Sequence, residues 1–191
     1  VVSTALNGER AKVITSFSMF YDLEDPVSFA IDIANCLDAS GRWFLEQSYL
    51  PTMLEANSFD TACHEHIEYY SLKSIQQILS KAGLVIIDVE LNDVNGGSFS
   101  LEVAHRTASH QQNESAVNYL LKKEAEGNID DPLSFYKFRQ RIDAAGVQLK
   151  EFLLEAKIAG KRVYGLGAST KGNVLLQYYG IDAELLPMIA E

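Results

Sequence analysis

Two hydrophobic periods organise the first half of this chain. Lys12-Val13-Ile14-Thr15-Ser16-Phe17 reads as a buried strand, and the polar turn Tyr21-Asp22-Leu23-Glu24-Asp25-Pro26 follows it. Pro26 suits the first turn of a helix, with Asp25 as its cap. Over residues 27–37 the apolar positions Val27, Phe29, Ala30, Ile33, Ala34 and Leu37 fall at helical spacing, and Ser40-Gly41 ends the run. Residues 42–49 form a second strand, stopped by Pro51. Strand, helix and strand with short joins predict a parallel crossover and an α/β fold.

Further along, Ser71 is placed to cap a helix that runs to Ala82, with Leu72, Ile75, Ile78 and Leu79 in one stripe and Gly83 closing it. Residues 85–91 and 98–105 predict two antiparallel strands at one end of the sheet, joined by a turn containing Asn95-Gly96-Gly97. The polar stretch 107–114 marks a boundary, so the chain divides into residues 1–106 and 107–191. Two helices are expected near 114–126 and 132–159. A strand beginning at 163–166 then runs into Gly167-Ala168-Ser169-Thr170-Lys171-Gly172-Asn173 and a helix through Tyr179. The chain stops at Glu191, about where such a unit needs its next strand.

Composition narrows the class. The 191 residues are 47% hydrophobic and 22% charged, as in ordinary globular domains. A net charge of −10 argues against wrapping nucleic acid and against anionic membrane surfaces. Only two cysteines, Cys36 and Cys63, imply no disulfide framework and fit a reducing compartment. No apolar run predicts a membrane span and no leader pattern is evident, so a cytoplasmic location is expected. The chain opens on Val1, and no glycine loop for a phosphate or cofactor precedes the segments below.

The densest chemistry is Cys63-His64-Glu65-His66, which holds two of the four histidines. Imidazole exchanges protons near neutral pH, and a neighbouring carboxylate can orient it. Three readings stay open on spacing alone: a proton-transfer site, a metal site through His-x-His, or a structural polar cluster. The zinc-peptidase pattern is absent. The Gly165–Asn173 segment, between strand and helix, suits an anion at the helix start with Lys171 adding charge, or simply a tight turn. Residues 16–21 end a strand, where ligands settle in open parallel sheets, although packing of the aromatic residues explains them equally. Tyr69 and Tyr70 offer phenols to a substrate or rings to a core.

Taken together, the segments resemble the three-domain S-adenosylmethionine-dependent sugar C-methyltransferases. The resemblance rests on Met19-Phe20-Tyr21-Asp22-Leu23-Glu24-Asp25-Pro26, Glu46-Gln47-Ser48-Tyr49, Phe59-Asp60 with His64-Glu65-His66, Tyr69-Tyr70-Ser71-Leu72, Asn95-Gly96-Gly97-Ser98 and Gly167–Asn173, in the family's order over nearly the whole chain. It implies a fragment. Residues 1–106 would be the C-terminal half of a Rossmann-like methyltransferase domain, starting before its fourth strand. Residues 107–191 would be a helical linker and the first part of a second Rossmann-like domain. The zinc-binding domain, the glycine-rich cofactor loop and the acidic ribose-binding residue would lie upstream; Cys36 and Cys63 cannot replace a four-cysteine zinc site.

The resemblance assigns roles. His66 is the base that makes an enolate from a nucleotide-linked keto-sugar, supported by Glu65 and His64. Ser16, Phe17 and Ser18 lie near S-adenosyl-L-methionine. Cys63, which stands where some relatives carry tyrosine, and Tyr69 face the acceptor. Gly167, Ser169, Lys171 and Asn173 serve its nucleotide, and no metal is assigned to this chain. The fragment is expected to be inactive alone, and its exposed sheet edge is expected to pair with another chain. The competing functions are a non-catalytic nucleotide-binding Rossmann-like module and a metal-assisted hydrolase using His64 and His66.

Overall fold

The computed structural model describes residues 8–109, 112–167 and 169–190. They form two compact units, and the chain passes between these more than once. Unit 1 comprises residues up to Met53 and Ile67–Ile129; unit 2 comprises Leu54–His66 and the residues from Asp130 onward.

Unit 1 is built on a four-stranded mixed sheet in the order β1-β2-β4-β3, with β1 at Ala11–Phe17, β2 at Leu37–Ser48, β3 at Leu84–Asn92 and β4 at Ser98–His105. β1 and β2 are parallel, joined by helix α1 (Pro26–Cys36), whose Asp25 cap accepts from Ser28 N–H at 2.9 Å. β4 runs antiparallel to both neighbours. Three helices cover one face: α1, α3 (Leu72–Lys81) and α4 (Glu114–Glu126). Trp43, Leu45, Phe99, Leu101 and Ile86 from the strands meet Ala30, Ile75, Leu79 and Leu120 from the helices. Burial of this kind contributes roughly 1.5–3 kcal/mol per large apolar side chain.

Several expectations are corrected here. The strand predicted at 42–49 begins at Leu37, with no loop after α1, because Leu37 serves both the helical stripe and the inward face of β2. Pro51 does not act by stopping a strand; it sits in the first turn of a short helix, α2 (Leu50–Ala56), where a missing N–H costs nothing. β1 is not a buried strand. It lies at the sheet edge and only Ser16 is buried, while Val13 and Phe17 lie on the open face. The join between β3 and β4 is a 3₁₀ turn ending at Gly97, whose φ of 126° and contact with Thr52 leave no room for a Cβ.

In unit 2, the long helix α5 (Pro132–Ile158), capped by Asp131, packs with α6 (Thr170–Tyr179). Gly146 makes this possible, since its bare backbone receives the Tyr179 ring, and Tyr179 O–H donates to the Ile142 carbonyl at 2.9 Å. Phe59, in the 3₁₀ turn Phe59–Thr61, closes the core against Tyr178 and Tyr179. The strand expected from residue 163 pairs only over Gly165–Leu166 (β5). It finds a parallel partner in Ile189–Ala190 (β6), so the crossover acquires its second strand within the chain. The architecture is α/β throughout: an open, mixed Rossmann-like sheet, then helices and a small parallel sheet.

Candidate active site

β1 and β2 run parallel in register from Val13 opposite Arg42 to Phe17 opposite Glu46, so their carboxyl ends lie side by side. That is where open α/β sheets hold ligands. At this end Ser16 Oγ accepts from the buried Trp43 indole at 3.0 Å, which engages the hydroxyl in the core. The Phe17 ring and Ser18 are exposed. Ser18 adopts a left-handed φ of 52°, held by donation from its N–H to the Glu46 carbonyl at 2.8 Å, which turns the chain sharply off the sheet.

The turn Phe20–Asp22 follows, and its Tyr21 carbonyl accepts from both Ile67 N–H and Glu68 N–H at 3.1 Å. The residue immediately after His66 is therefore pinned to the strand-end turn of unit 1. Tyr70 adds to this within unit 1: its backbone bridges Tyr49 and its ring lies tilted against Phe20, with centroids 5.4 Å apart. Burial, and then the charge of Glu68, raise the Tyr70 phenol above the ordinary tyrosine range. Tyr69 is half-buried beside it in sequence. Ser71 then caps α3 in a capping box with Ser74.

The histidine segment is a tight turn in unit 2, with His66 N–H donating to the Cys63 carbonyl at 3.2 Å. His64 and Glu65 are exposed and lie 3.8 Å apart at Nε2 and Oε1; Cys63 and His66 are half-buried. Among the described residues no group of three or more His, Cys, Asp or Glu side chains is placed to hold a metal ion. The residues present do not fit the zinc that the resemblance puts upstream.

The other predicted cluster lies at the start of α6. Ser169 Oγ accepts from Gly172 N–H at 3.4 Å as the helix cap, and Gly167 turns with a φ of 99° and open space where a Cβ would stand. Lys171 and Asn173 sit in the first turn, and Ala168 lies outside the described residues. Phe59, just before the histidine turn, packs at the opposite end of this ten-residue helix, about 15 Å away at 1.5 Å per residue. The structure thus keeps the anchor of the histidine turn and the glycine turn at the two ends of one helix.

Two groups near the strand ends, which the sequence showed only as part of the resemblance, carry no role assigned from it. Glu46 Oε2 accepts from Asn92 Nδ2 at 2.8 Å and Ser100 Oγ at 2.7 Å, beside a groove of about 450 Å³ that Phe17 and Phe44 also line. Gln47 is buried on the core face with neither amide atom hydrogen-bonded among the described residues, and the Tyr70 hydroxyl is in the same condition. The signal was there for Gln47. It shares the inward parity of Trp43, Leu45 and Tyr49.

Comparison with known proteins decides the family. Residues 93–191 match the family described as the C-methyltransferase C-terminal domain, and residues 3–89 match a methyltransferase domain. The chain belongs to the S-adenosylmethionine-dependent C-methyltransferases. The C-methyltransferase NovU of Streptomyces niveus is 30% identical over 171 residues, covering 90% of this chain and 40% of NovU. This family member thus spans well under half the length of that curated relative. Among solved structures, the Bacillus subtilis M1A22 tRNA methyltransferase TrmK aligns with 95% of this chain and 65% of its own at 14% identity and a TM-score of 0.35. The magnesium protoporphyrin IX methyltransferase of Synechocystis PCC 6803, with bound SAH, aligns with 51% of this chain and 46% of its own at 14% identity and a TM-score of 0.41.

Proposed function

We propose that this polypeptide carries the acceptor base and one flank of the cofactor crevice of a C-methyltransferase acting on a nucleotide-linked keto-sugar through an enolate. The observation that carries the reading is the double donation from Ile67 and Glu68 to the Tyr21 carbonyl. It holds Ile67 and Glu68, the two residues that follow His66 in the chain, on the turn that comes after β1.

In this reading residues 1–106 belong to the methyltransferase domain and 107–191 to the linker and C-terminal domain. His66 takes the proton from the carbon next to the ketone, leaving its electron pair in the enolate. Glu65 balances the charge of the imidazolium that results, with His64 supporting the same turn, and Cys63 and Tyr69 border the acceptor. S-adenosyl-L-methionine, when bound, supplies the methyl group that the enolate carbon takes up. Phe17 and Ser18 shape its crevice, with Ser16 holding the strand end through Trp43. Gly167, Ser169, Lys171 and Asn173 hold the acceptor's nucleotide phosphates at the start of α6. Two unpaired thiols suit a cytoplasmic setting, and the outer edge of β1, which has no strand partner among the described residues, is available to a second chain. Among the described residues no helix is long and apolar enough to cross a membrane.

The test is solvent deuterium exchange at the carbon next to the ketone in nucleotide-linked keto-sugars, on the polypeptide carrying the whole methyltransferase domain. Exchange should disappear in His66→Ala; exchange that persists would move the base elsewhere. The second reading, a nucleotide-binding module without catalysis, draws on the Ser169 cap and the open Gly167 turn. It expects no exchange with any keto-sugar, together with nucleotide binding that Lys171→Ala weakens and His66→Ala leaves intact.

A further inference from the structure

Helix α5 is used on two faces. One is buried in the core of unit 2 through Ile142, Gly146, Leu153 and Ala156. On the other, Leu133, Gln140, Val147 and Leu154 recur every seven residues, and Lys137, Ala144, Glu151 and Ile158 recur at the same interval four residues later. Spacings of four and three are the seam of a coiled coil. Every one of these positions is exposed, with Leu133 at 50%, Val147 at 57%, Leu154 at 47% and Ile158 at 86%.

We propose that this face pairs with the same face of a second copy of the chain, with the two α5 helices antiparallel. The order of residues along the seam is what selects that occupant. In an antiparallel two-fold pair Leu133 meets Ile158, Ala144 meets Val147 and Gln140 meets Glu151, so apolar layers face apolar layers and the polar layer is matched. Lys137 lies against Leu154 with its stem, and its ammonium reaches the neighbouring Glu155. Both residues occupy the same flank of the helix, which is the flank that two-fold antiparallel helices present to each other. A parallel pair would set Lys137 against Lys137 and Glu151 against Glu151.

The interface is isologous, so each contact occurs twice and a single substitution strikes both. One helix pair about 40 Å long is small among stable interfaces, so association is expected to depend on concentration.

Sedimentation equilibrium on the polypeptide tests this, comparing wild type with Lys137→Glu, Glu155→Lys, the double reversal and Leu154→Asp, each checked for folding by far-UV circular dichroism. The wild type should dimerise, and Leu154→Asp should be monomeric with an unchanged spectrum. Either single reversal should raise the dissociation constant about tenfold, since two like-charge contacts replace two ion pairs, and the double reversal should restore it to within about threefold. A wild type that stays monomeric at every concentration overturns the proposal. So does a dimer indifferent to Leu154→Asp and to the charge reversals, which would point to the β1 edge, or a double reversal that fails to recover. If Leu154→Asp misfolds, the charge variants at exposed positions still decide the matter.

Discussion

Removing the carboxylate of Glu124 should unlock the helix side of unit 1. Glu124 is 3% exposed, and it accepts three hydrogen bonds: from Tyr49 O–H at 2.8 Å, Leu72 N–H at 2.6 Å and Lys73 N–H at 3.1 Å. The last two are donors at the start of α3 that the helix itself leaves unsatisfied, so one side chain of α4 caps α3 while holding β2 through Tyr49. Each hydrogen bond to a charged group is worth about 1.5–3 kcal/mol, and the donors would be stranded in a buried setting. The gain is reduced because burying the carboxylate costs solvation, and the three bonds are not additive. A net loss of about 3–5 kcal/mol is expected for Glu124→Ala, a large share of the roughly 5–15 kcal/mol that holds a domain. Glu124→Gln keeps one acceptor oxygen and should lose about 1–2 kcal/mol; Tyr49→Phe should lose about 1 kcal/mol. Urea denaturation followed by far-UV circular dichroism and by the fluorescence of the buried Trp43, the sole tryptophan, measures all three. A Glu124→Ala midpoint within 1 kcal/mol of wild type, or identical losses for Ala and Gln, would refute the argument.

Other outcomes follow from the same packing. Gly146→Ala places a methyl group inside the Tyr179 ring and should cost about 1–3 kcal/mol, read as a lowered urea midpoint. Gly97→Ala meets both Thr52 and a φ of 126°, so its loss should be at least as large; a loss under about 0.5 kcal/mol would deny the close approach. Gln47→Met replaces a buried amide that has no partner among the described residues, and should leave stability unchanged or raise it by about 1 kcal/mol. Tyr178 is raised chiefly by its hydrogen bond to Asp143, while Tyr70 and Tyr179 are raised chiefly by burial. Their folded forms favour the neutral phenol, so this stabilisation is whole below the ordinary tyrosine value near 10 and is lost as pH rises through the higher folded values. Tyrosinate absorbance should show a late-titrating group that shrinks in Tyr70→Phe.

Local chemistry made several elements readable. The Ser71 cap, the stripe of Leu72, Ile75 and Leu79 and the stop at Gly83 agree on one helix, which the structure places at Leu72–Lys81. Asp131 before Pro132 likewise marks the true start of α5. Leu37 was misplaced because a residue on the inward side of both a helix and the next strand fits either period. The exposure of β1 was hidden for a different reason: Val13, Ile14 and Phe17 are strand-forming residues whether or not anything covers them. In the candidate site the residue types of Cys63-His64-Glu65-His66 were visible, but the anchor that fixes the following backbone is the Tyr21 carbonyl, and a main-chain acceptor leaves no mark in a sequence. Glu124 was equally silent. Its partners lie 75, 52 and 51 positions away, and one carboxylate on a helix surface looks like any other.

The discontinuity of unit 2 has a consequence for how this protein is made. Phe59 leaves the ribosome 120 residues before Tyr179, the ring it closes upon, because the segment Leu54–His66 precedes most of unit 1 in the chain while packing with what comes last. At about 5–20 residues per second of synthesis, that apolar turn waits roughly 6–24 s for its partner. During that interval the strands and helices of unit 1 can assemble without it. The histidine turn is therefore an extruded loop on a nearly finished domain before it becomes part of a second one, and a nascent chain halted before α6 should display residues 54–66 to proteases that the completed protein resists.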